Sequence, residues 1–200
     1  MRLREHPRFA EFAAWCVKQS AMAKPLVGDF YRAAGPRHTT AKAIVSGEGG
    51  LYGGGRWNSS GAMKIVYLSA APETALREAN EHFRARNLPV SNGFPKVVVS
   101  VAVKLERILD FTDPAVVGLM PEAPASLLAE DWRALMARGE ESASQAIGRA
   151  IFKAGLQGLL VPSKPEPNGI NLLVFPDHLT KKCRLEVLNA AELDKLGKPA

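Results

Sequence analysis

The 200-residue chain is poor in the residues that form cross-links and metal centres. It has only two cysteines, Cys16 and Cys183, which stand far apart and in no spacing typical of metal ligands. We therefore predict two reduced thiols, with a disulfide or ligand role as the alternative, and no metal site. The histidines are equally dispersed, and no two of them have the spacing of paired ligands; they are His6, His38, His82 and His178.

Long apolar runs are missing as well. The longest, residues 97–103, has the length of a strand and contains Ser100. A helix needs roughly 18 apolar residues or more to span a bilayer. The N-terminus is charged, with Arg2, Arg4 and Glu5, and no apolar signal-peptide core follows it. We therefore predict a cytoplasmic protein that does not enter a membrane.

Three catalytic motifs are absent too. No Gly-Lys-Ser/Thr follows the glycine-rich segment at residues 49–61, which excludes a Walker phosphate-binding loop. Gly53 and Gly55 begin a Rossmann dinucleotide fingerprint, but Asn58 occupies its third glycine position, and a strand rather than a helix is predicted to follow. No Gly-x-Ser-x-Gly elbow is present, which argues against a hydrolase triad.

The charge balance is basic. The chain carries 26 basic and 20 acidic residues, a net charge of +6 at pH 7. Most of the excess lies in residues 31–70, which contain five basic residues and one acidic residue. This concentration indicates a local anion site rather than a diffuse nucleic-acid surface. Because dense Lys/Arg runs and interleaved aromatics are lacking, we expect no direct contact with nucleic acid; a basic nucleic-acid-binding face is the alternative.

Helix-like and strand-like segments are mixed without a regular βαβ alternation, which predicts an α+β domain. An apolar stripe over residues 6–20 predicts a helix, so we assign residues 1–25 to an N-terminal helical extension and residues 26–200 to the catalytic domain. Residues 37–55 are predicted to be a loop with one helical turn near residues 40–46. The remaining patterns predict strands at 28–34, 64–68, 96–103, 107–110, 158–161, 170–175 and 183–188, and helices at 72–86, 126–138 and 142–154.

Residues 49–78 hold the strongest candidates for a site. A glycine-rich stretch carrying Arg56 leads into a strand carrying Tyr67, and Pro72 suits the first position of the next helix. On that helix Glu78 lies at the border of the buried stripe, whereas Glu81 points to solvent. A border position lets a side chain reach a cleft while its stem stays packed, so Glu78 is the better catalytic candidate.

Arg32, Arg56, Tyr67 and Glu78 together suit the cleavage of NAD at its nicotinamide. An arginine can bind an anion such as the pyrophosphate through paired hydrogen bonds, and a carboxylate can stabilise the positive charge that develops on the ribose. The nicotinamide of NAD is a cationic pyridinium that leaves as a neutral molecule, so no acid has to protonate it. This hypothesis therefore does not require a catalytic histidine.

A wider pattern includes these residues. Tyr67 follows Arg56 by eleven residues, and Glu78 follows Tyr67 by eleven. The blocks are Tyr31-Arg32, residues 53–61 (Gly-Gly-Gly-Arg-Trp-Asn-Ser-Ser-Gly), residues 65–68 (Ile-Val-Tyr-Leu), Glu78 and residues 161–163 (Val-Pro-Ser). Over about residues 28–180 this pattern resembles the RES domain family, whose members are toxins of bacterial toxin–antitoxin pairs.

The resemblance implies an ADP-ribosyltransferase-like core of mixed, mostly antiparallel sheets with surrounding helices. It also implies that NAD is the substrate and not a cofactor. Arg32 and Arg56 would anchor NAD through its phosphates. Tyr67 would stack near the nicotinamide, Glu78 would face the ribose, and Ser163 would bind the ligand or orient a catalytic side chain. The predicted catalytic residues are Glu78, Arg32 and Tyr67, and the predicted substrate-binding residues are Arg56, Tyr31, Ser163, Trp57, Asn58 and Asn171.

The resemblance thus predicts a toxin enzyme that breaks the nicotinamide–ribose bond of NAD by hydrolysis or phosphorolysis, depletes NAD and arrests growth. Transfer of ADP-ribose to a protein acceptor is the close alternative. A non-enzymatic module that binds anions or nucleic acid is the alternative of another class. The implied partner is an antitoxin of the Xre type, which has a helix-turn-helix DNA-binding part and blocks the cleft.

Overall fold

A computed structural model describes residues 3–36 and 39–196, so Arg37 and His38 of the predicted loop lie outside the described residues. The helices of the described residues are α1 Phe9–Gln19, α2 Ala41–Val45, α3 Glu48–Gly53, α4 Pro72–Arg84, α5 Pro114–Val117, α6 Pro124–Ala129, α7 Trp132–Ala137, α8 Ala143–Lys153 and α9 Ala190–Leu196. Their strands are β1 Lys24–Ala34, β2 Val66–Ser69, β3 Val97–Asp110, β4 Gly158–Pro162, β5 Ile170–Val174 and β6 Arg184–Val187.

Local chemistry explains where the helices α4 and α8 begin. Pro72 occupies the first turn of α4, where its missing N–H leaves no hydrogen bond unmade. Helix α8 begins with a capping box, in which the Ser142 side chain accepts from the Gln145 N–H while the Gln145 side chain accepts from the Ser142 N–H. Both helices match the predicted segments to within two residues at each end.

The strands of the described residues form one mixed sheet in the order β1-β2-β5-β4-β3-β6. Strand β1 also pairs with β3 over ten positions, from Lys24↔Ile108 to Ala34↔Val97, so the pairings close into a ring. Only β3 and β4 pair in parallel, whereas the other pairs are antiparallel. The predicted α+β fold with mixed, mostly antiparallel strands is therefore confirmed.

Alternation along the strands divides the core between the two faces of the sheet. On β5 and just beyond it, Leu173 and Phe175 pack in one cluster with helices α1 and α8, while Leu172 and Val174 pack in the other. The second cluster also contains Ile44 of α2. This period of two follows from the pleat of the strand. The residues of β5 after Ile170 are buried and alternate between the two faces, so the strand is buried on both faces although Asn171 interrupts its apolar run.

Three predicted boundaries were wrong. The segments 96–103 and 107–110 form one strand, β3, because its second half exposes one face and so carries charged residues without leaving the sheet. The segment 126–138 is divided into α6 and α7. Residues 48–53 form the helix α3 instead of a loop. A Cβ on Gly50 would lie 2.4 Å from Ile65, so glycine allows this helix to pack directly on the strand that follows.

Residues 3–25 share the core with the rest of the described chain. Phe12 and Cys16 of α1 are fully buried in the same cluster as Ile147 and Ile151 of α8. Burial raises the pKa of the Cys16 thiol to about 12, which makes it unreactive. Before the helix, the Arg4 N–H donates to the Gly139 carbonyl at 2.8 Å. No helix within the described residues is long and apolar enough to cross a membrane.

Candidate active site

A cleft of about 310 Å³ opens between strands β1 and β2 and helices α4 and α7. A smaller pocket of about 50 Å³ adjoins it and shares Tyr67, Glu78 and Asn171 with it. The functional groups along the larger cleft belong to Tyr31, Arg32, Tyr67, Ser69, Glu78, Arg133 and Asn171. Arg56, Trp57 and Lys164 line the smaller pocket.

The Glu78 carboxylate is held through one of its two oxygens. Its Oε1 accepts a hydrogen bond from Ser163 Oγ at 2.6 Å and another from Asn171 Nδ2 at 2.5 Å. Ser163 directly follows β4, and Asn171 lies opposite Val161 in the register of β4 and β5. These neighbouring strands therefore bring both donors to the same oxygen. The described residues provide no hydrogen-bond donor to Oε2, which leaves it available to a ligand.

Ser69 orients the Asn171 amide. Its Oγ donates to Asn171 Oδ1 at 2.7 Å, and both side chains are more than nine-tenths buried. With its oxygen engaged, the amide presents its nitrogen to Glu78. Ser69 was not a predicted site residue, because a serine at the end of a strand carries no signal by itself. Its alignment with Asn171 follows from the pairing of β2 with β5.

The Tyr67 hydroxyl lies at the centre of a second network. It donates to Asn58 Oδ1 at 2.7 Å and accepts from the Trp57 N–H at 3.2 Å. The Asn58 side chain is fully buried, and its Nδ2 donates to the Gly50 carbonyl at 2.7 Å. A Cβ on Gly55 would lie 2.5 Å from the Tyr67 oxygen, so the glycine is needed for this close approach. Burial raises the pKa of the Tyr67 hydroxyl well above its ordinary value, which keeps it neutral.

Two predicted arginines are anchored by main-chain carbonyls. Arg32 donates from one NH group to the Ile44 carbonyl at 2.6 Å. Arg56 donates from one NH group to the carbonyls of Leu127 and Glu130, at 2.7 and 3.0 Å. Burial lowers the pKa of both guanidinium groups. A guanidinium has five N–H donors, so each arginine keeps donors for an anion.

Trp132 and Arg133 of α7 complete the cleft wall. Arg133 Cζ lies 4.4 Å from the Trp132 ring centroid, a cation–π contact. Neither residue was a predicted site residue. Helix α7 is only six residues long, and tertiary packing alone brings it to the same cleft as α4. The positive charge of Arg133 also contributes to the lowered pKa of Arg56, after burial.

The remaining predicted residues occupy different surroundings. Tyr31 is half-buried and lines the larger cleft beside Arg32. The Trp57 side chain packs in the core, 3% exposed, with its ring centroid 5.7 Å from that of Phe111. Asn58 lies behind Tyr67 and lines neither pocket. The cleft and the adjoining pocket together combine the guanidinium groups of Arg32, Arg56 and Arg133 with the Glu78 carboxylate, which suits an anionic ligand on which positive charge develops next to Glu78.

Among the described residues, no group of three or more His, Cys, Asp or Glu side chains could hold a metal ion.

Comparison with known proteins connects this arrangement to characterised relatives. The RES domain family model matches residues 29–190. The protein named NAD(+) phosphorylase MbcT, from Mycobacterium tuberculosis and from Mycobacterium bovis, is 27% identical over 167 residues, covering 78% of this chain and 80% of the relative. The crystal structure of the M. tuberculosis MbcT–MbcA toxin–antitoxin complex contains a similar chain, with a TM-score of 0.64 and 22% identity. That match covers 92% of this chain and 97% of the other, which shows a shared fold.

Proposed function

The chain belongs to the RES domain family, and from this premise we propose that it is a toxin enzyme that cleaves the nicotinamide–ribose bond of NAD. The observation that carries the proposal is the state of Glu78. One carboxylate oxygen is held by Ser163 and Asn171, and the other is open at a cleft that also contains Arg32. The relatives named as NAD(+) phosphorylases support the same substrate.

In the proposed reaction Arg32 and Arg56 bind the pyrophosphate of NAD, and Tyr31 and Tyr67 border the nicotinamide. The bond between ribose C1″ and the pyridinium nitrogen breaks, and its electron pair leaves with neutral nicotinamide. Positive charge then develops on the ribose, where the open oxygen of Glu78 stabilises it. Glu78 acts through charge and does not need to transfer a proton.

The other predicted residues hold Glu78 and Tyr67 in position. Ser163 and Asn171 hold Glu78, because both donate to its Oε1. Asn58 holds Tyr67 through a hydrogen bond of 2.7 Å. Trp57 contributes its main-chain N–H to Tyr67, while its indole packs in the core. We propose that these four residues position the reacting groups, with Ser163 and Asn171 also close enough to meet the substrate.

The molecule that accepts the ribose distinguishes hydrolysis from phosphorolysis. Water yields ADP-ribose, and inorganic phosphate yields ADP-ribose 1″-phosphate. The name of the relatives favours phosphorolysis. Transfer of ADP-ribose to a protein is a third route, in which the acceptor is a side chain of another protein.

The decisive experiment is incubation of the purified protein with NAD, with and without phosphate, followed by mass spectrometry of the products. The matched control is Glu78→Gln, which keeps the shape and removes the charge. We expect NAD loss by the wild type and a decrease of about 10³-fold or more in the variant, the scale of a lost electrostatic contribution. Unchanged NAD with the wild type would refute the proposal, and label on a protein acceptor would redirect it to ADP-ribosyl transfer.

We also propose that a cognate antitoxin of the Xre type covers this cleft in the cytoplasm. The fold shared with the chain of the MbcT–MbcA toxin–antitoxin complex supports such a partner. Expression of the wild type should arrest growth and lower cellular NAD, and Glu78→Gln should do neither. Equal growth arrest by both proteins would separate toxicity from NAD cleavage.

A further inference from the structure

We propose that Arg133 binds the inorganic phosphate that attacks the ribose, an assignment that rests on the proposed cleavage of NAD. Arg133 lines the larger cleft together with Glu78. A residue of the cleft wall would then hold the phosphate that makes the reaction a phosphorolysis. The ligand class is a free phosphate anion, as distinct from the phosphates within NAD.

The first support is the availability of the Arg133 guanidinium. Its side chain is half-buried and stacks on Trp132, with 4.4 Å between Cζ and the ring centroid. Among the main-chain carbonyls and the described side chains, which do not include that of His82, none forms a hydrogen bond or ion pair with it. All five of its N–H donors therefore remain for a ligand, and a planar fork of donors suits phosphate.

The second support is the contrast with the two other arginines. Arg32 is fixed by the Ile44 carbonyl and Arg56 by two carbonyls, so their positions are set before any ligand arrives. Fixed cations suit the pyrophosphate, which must hold the same place in every NAD molecule. A cation held only by stacking can follow a small anion that enters and reacts in each turnover.

The third support is charge. The Arg133 charge acts on Arg56, and two guanidinium groups repel each other unless an anion lies between or beside them. The pyrophosphate of NAD brings two negative charges, which Arg32 and Arg56 offset. Glu78 is opposed by the positive charge that develops on the ribose. Arg133 is then the basic residue of the larger cleft that remains for a second anion, whereas Lys164 lines the smaller pocket.

The step itself balances with this anion. A phosphate oxygen forms a bond to ribose C1″ while the bond from C1″ to the nicotinamide nitrogen breaks, and the electron pair stays on nicotinamide. The products are nicotinamide and ADP-ribose 1″-phosphate. Hydrogen phosphate dianion attacks without losing a proton, whereas water must lose one.

The kinetic test varies phosphate at saturating NAD, and NAD at saturating phosphate, for the wild type, Arg133→Ala, Arg133→Lys and Arg107→Ala. Arg107 is exposed on β3 outside both pockets, so Arg107→Ala controls for the loss of one positive charge. We expect Arg133→Ala to raise the KM for phosphate about tenfold or more, the scale of one charge-assisted hydrogen bond. The KM for NAD should change less than about twofold, Arg133→Lys should recover part of the phosphate affinity, and Arg107→Ala should match the wild type.

A second measurement does not depend on turnover. Phosphate is added at constant ionic strength against chloride, and thermal unfolding is followed. A ligand that binds the folded state raises Tm with concentration. We expect phosphate to raise the Tm of the wild type and of Arg107→Ala, and to have little effect on Arg133→Ala.

The outcomes separate this inference from the proposed function. If Arg133→Ala raises the KM for NAD and leaves the phosphate dependence unchanged, Arg133 binds the dinucleotide and the inference is wrong. If the wild type cleaves NAD at the same rate without phosphate and yields only ADP-ribose, the inference fails while NAD cleavage stands. If the wild type does not cleave NAD, the proposed function fails, and the attack by phosphate fails with it whatever the Tm shows.

Discussion

At the scale of single residues, the site depends on which oxygen of the Glu78 carboxylate accepts hydrogen bonds. Ser163 and Asn171 both donate to Oε1 of Glu78, and Ser69 fixes the amide that supplies one of these bonds. If the Asn171 amide rotated, its oxygen would face the carboxylate and repel it. Ser69 is therefore a positioning residue, although it touches neither Glu78 oxygen itself.

We predict that Ser69→Ala lowers kcat for NAD cleavage about tenfold, since one buried hydrogen bond is worth about 1 to 1.5 kcal/mol. The KM for NAD should change little, because the binding arginines are untouched. Ser69→Thr keeps the hydroxyl and should restore kcat. Steady-state kinetics measure both constants. A wild-type kcat in Ser69→Ala at unchanged Tm would show that Ser69 does not position Asn171 for catalysis.

Tyr67 permits a test by pH. The chain has three tyrosines, and burial raises the pKa of the Tyr67 hydroxyl on folding. We predict that near pH 10 the native wild type shows no more phenolate absorbance than native Tyr67→Phe, because the buried Tyr67 hydroxyl stays protonated. In urea, the same variant should lose one of the three titrating groups.

The raised pKa of Tyr67 also decides how the stability of the protein changes with pH. Above about pH 10 the unfolded chain releases the Tyr67 proton while the folded protein retains it, so this group lowers stability as pH rises. The free energy of unfolding of the wild type should therefore fall more steeply above that pH than that of Tyr67→Phe. A native absorbance step that shrinks in Tyr67→Phe would show that the hydroxyl is accessible to solvent.

At the scale of elements, close backbone contacts decide where the glycine-rich segment lies. Helix α8 contains Gly148, and a Cβ there would lie 1.9 Å from the Trp57 carbonyl oxygen. The same helix donates from Gln145 Nε2 to the Gly55 carbonyl at 3.0 Å. Gly55 in turn contacts Tyr67. Helix α8 therefore supports the Tyr67 network from the side opposite the cleft.

We predict that Gly148→Ala lowers the free energy of unfolding by about 3 kcal/mol or more, because a methyl group cannot be accommodated against main-chain atoms. Urea denaturation measures the change. Gly35→Ala is the matched control, since a Cβ at Gly35 meets nothing within 4 Å, and it should stay within about 0.5 kcal/mol of the wild type. Equal stability of the two variants would contradict the contact between α8 and Trp57.

At the scale of the whole molecule, the N-terminal helix belongs to the structure that holds the cleft wall. Trp15 Nε1 donates to the Leu119 carbonyl at 2.5 Å, and Lys24 Nζ lies 2.7 Å from Asp113 Oδ2. Arg8 pairs with Glu122. These contacts tie the first 25 residues to the segment that leads into α6 and α7. We therefore expect residues 1–25 to unfold together with the domain.

We predict that Phe12→Ala lowers the free energy of unfolding of the entire chain by about 3 to 5 kcal/mol, the cost of truncating a buried aromatic side chain. Near- and far-ultraviolet circular dichroism should report one coincident transition at a lower urea midpoint. Val17→Ala on the same helix is the control, because Val17 is 65% exposed. Two separate transitions, with only the first displaced by Phe12→Ala, would make the helix an independent extension.

The sequence by itself was sufficient for properties that depend on near neighbours. The period of the apolar residues and the position of Pro72 locate α4 and place Glu78 at the border of its buried stripe. The two short apolar segments at 158–161 and 170–175 predict the strands β4 and β5. The even spacing of Arg56, Tyr67 and Glu78 along turn, strand and helix was sufficient to suggest the family. Helix α3 escaped prediction because its glycines are poor helix formers, and only packing against Ile65 offsets that.

The tertiary structure alone decided the arrangement of the cleft. Ser69, Ser163 and Asn171 lie on or next to three different strands, and their hydrogen bonds depend on a register set by the whole sheet. Arg133 reaches the cleft through a helix far from α4 in sequence. Such contacts form between residues about 55 to 100 positions apart, where local propensity has no influence. The burial of Asn58 and the Glu78 oxygen that no described donor reaches follow from this packing and from no pattern in the chain.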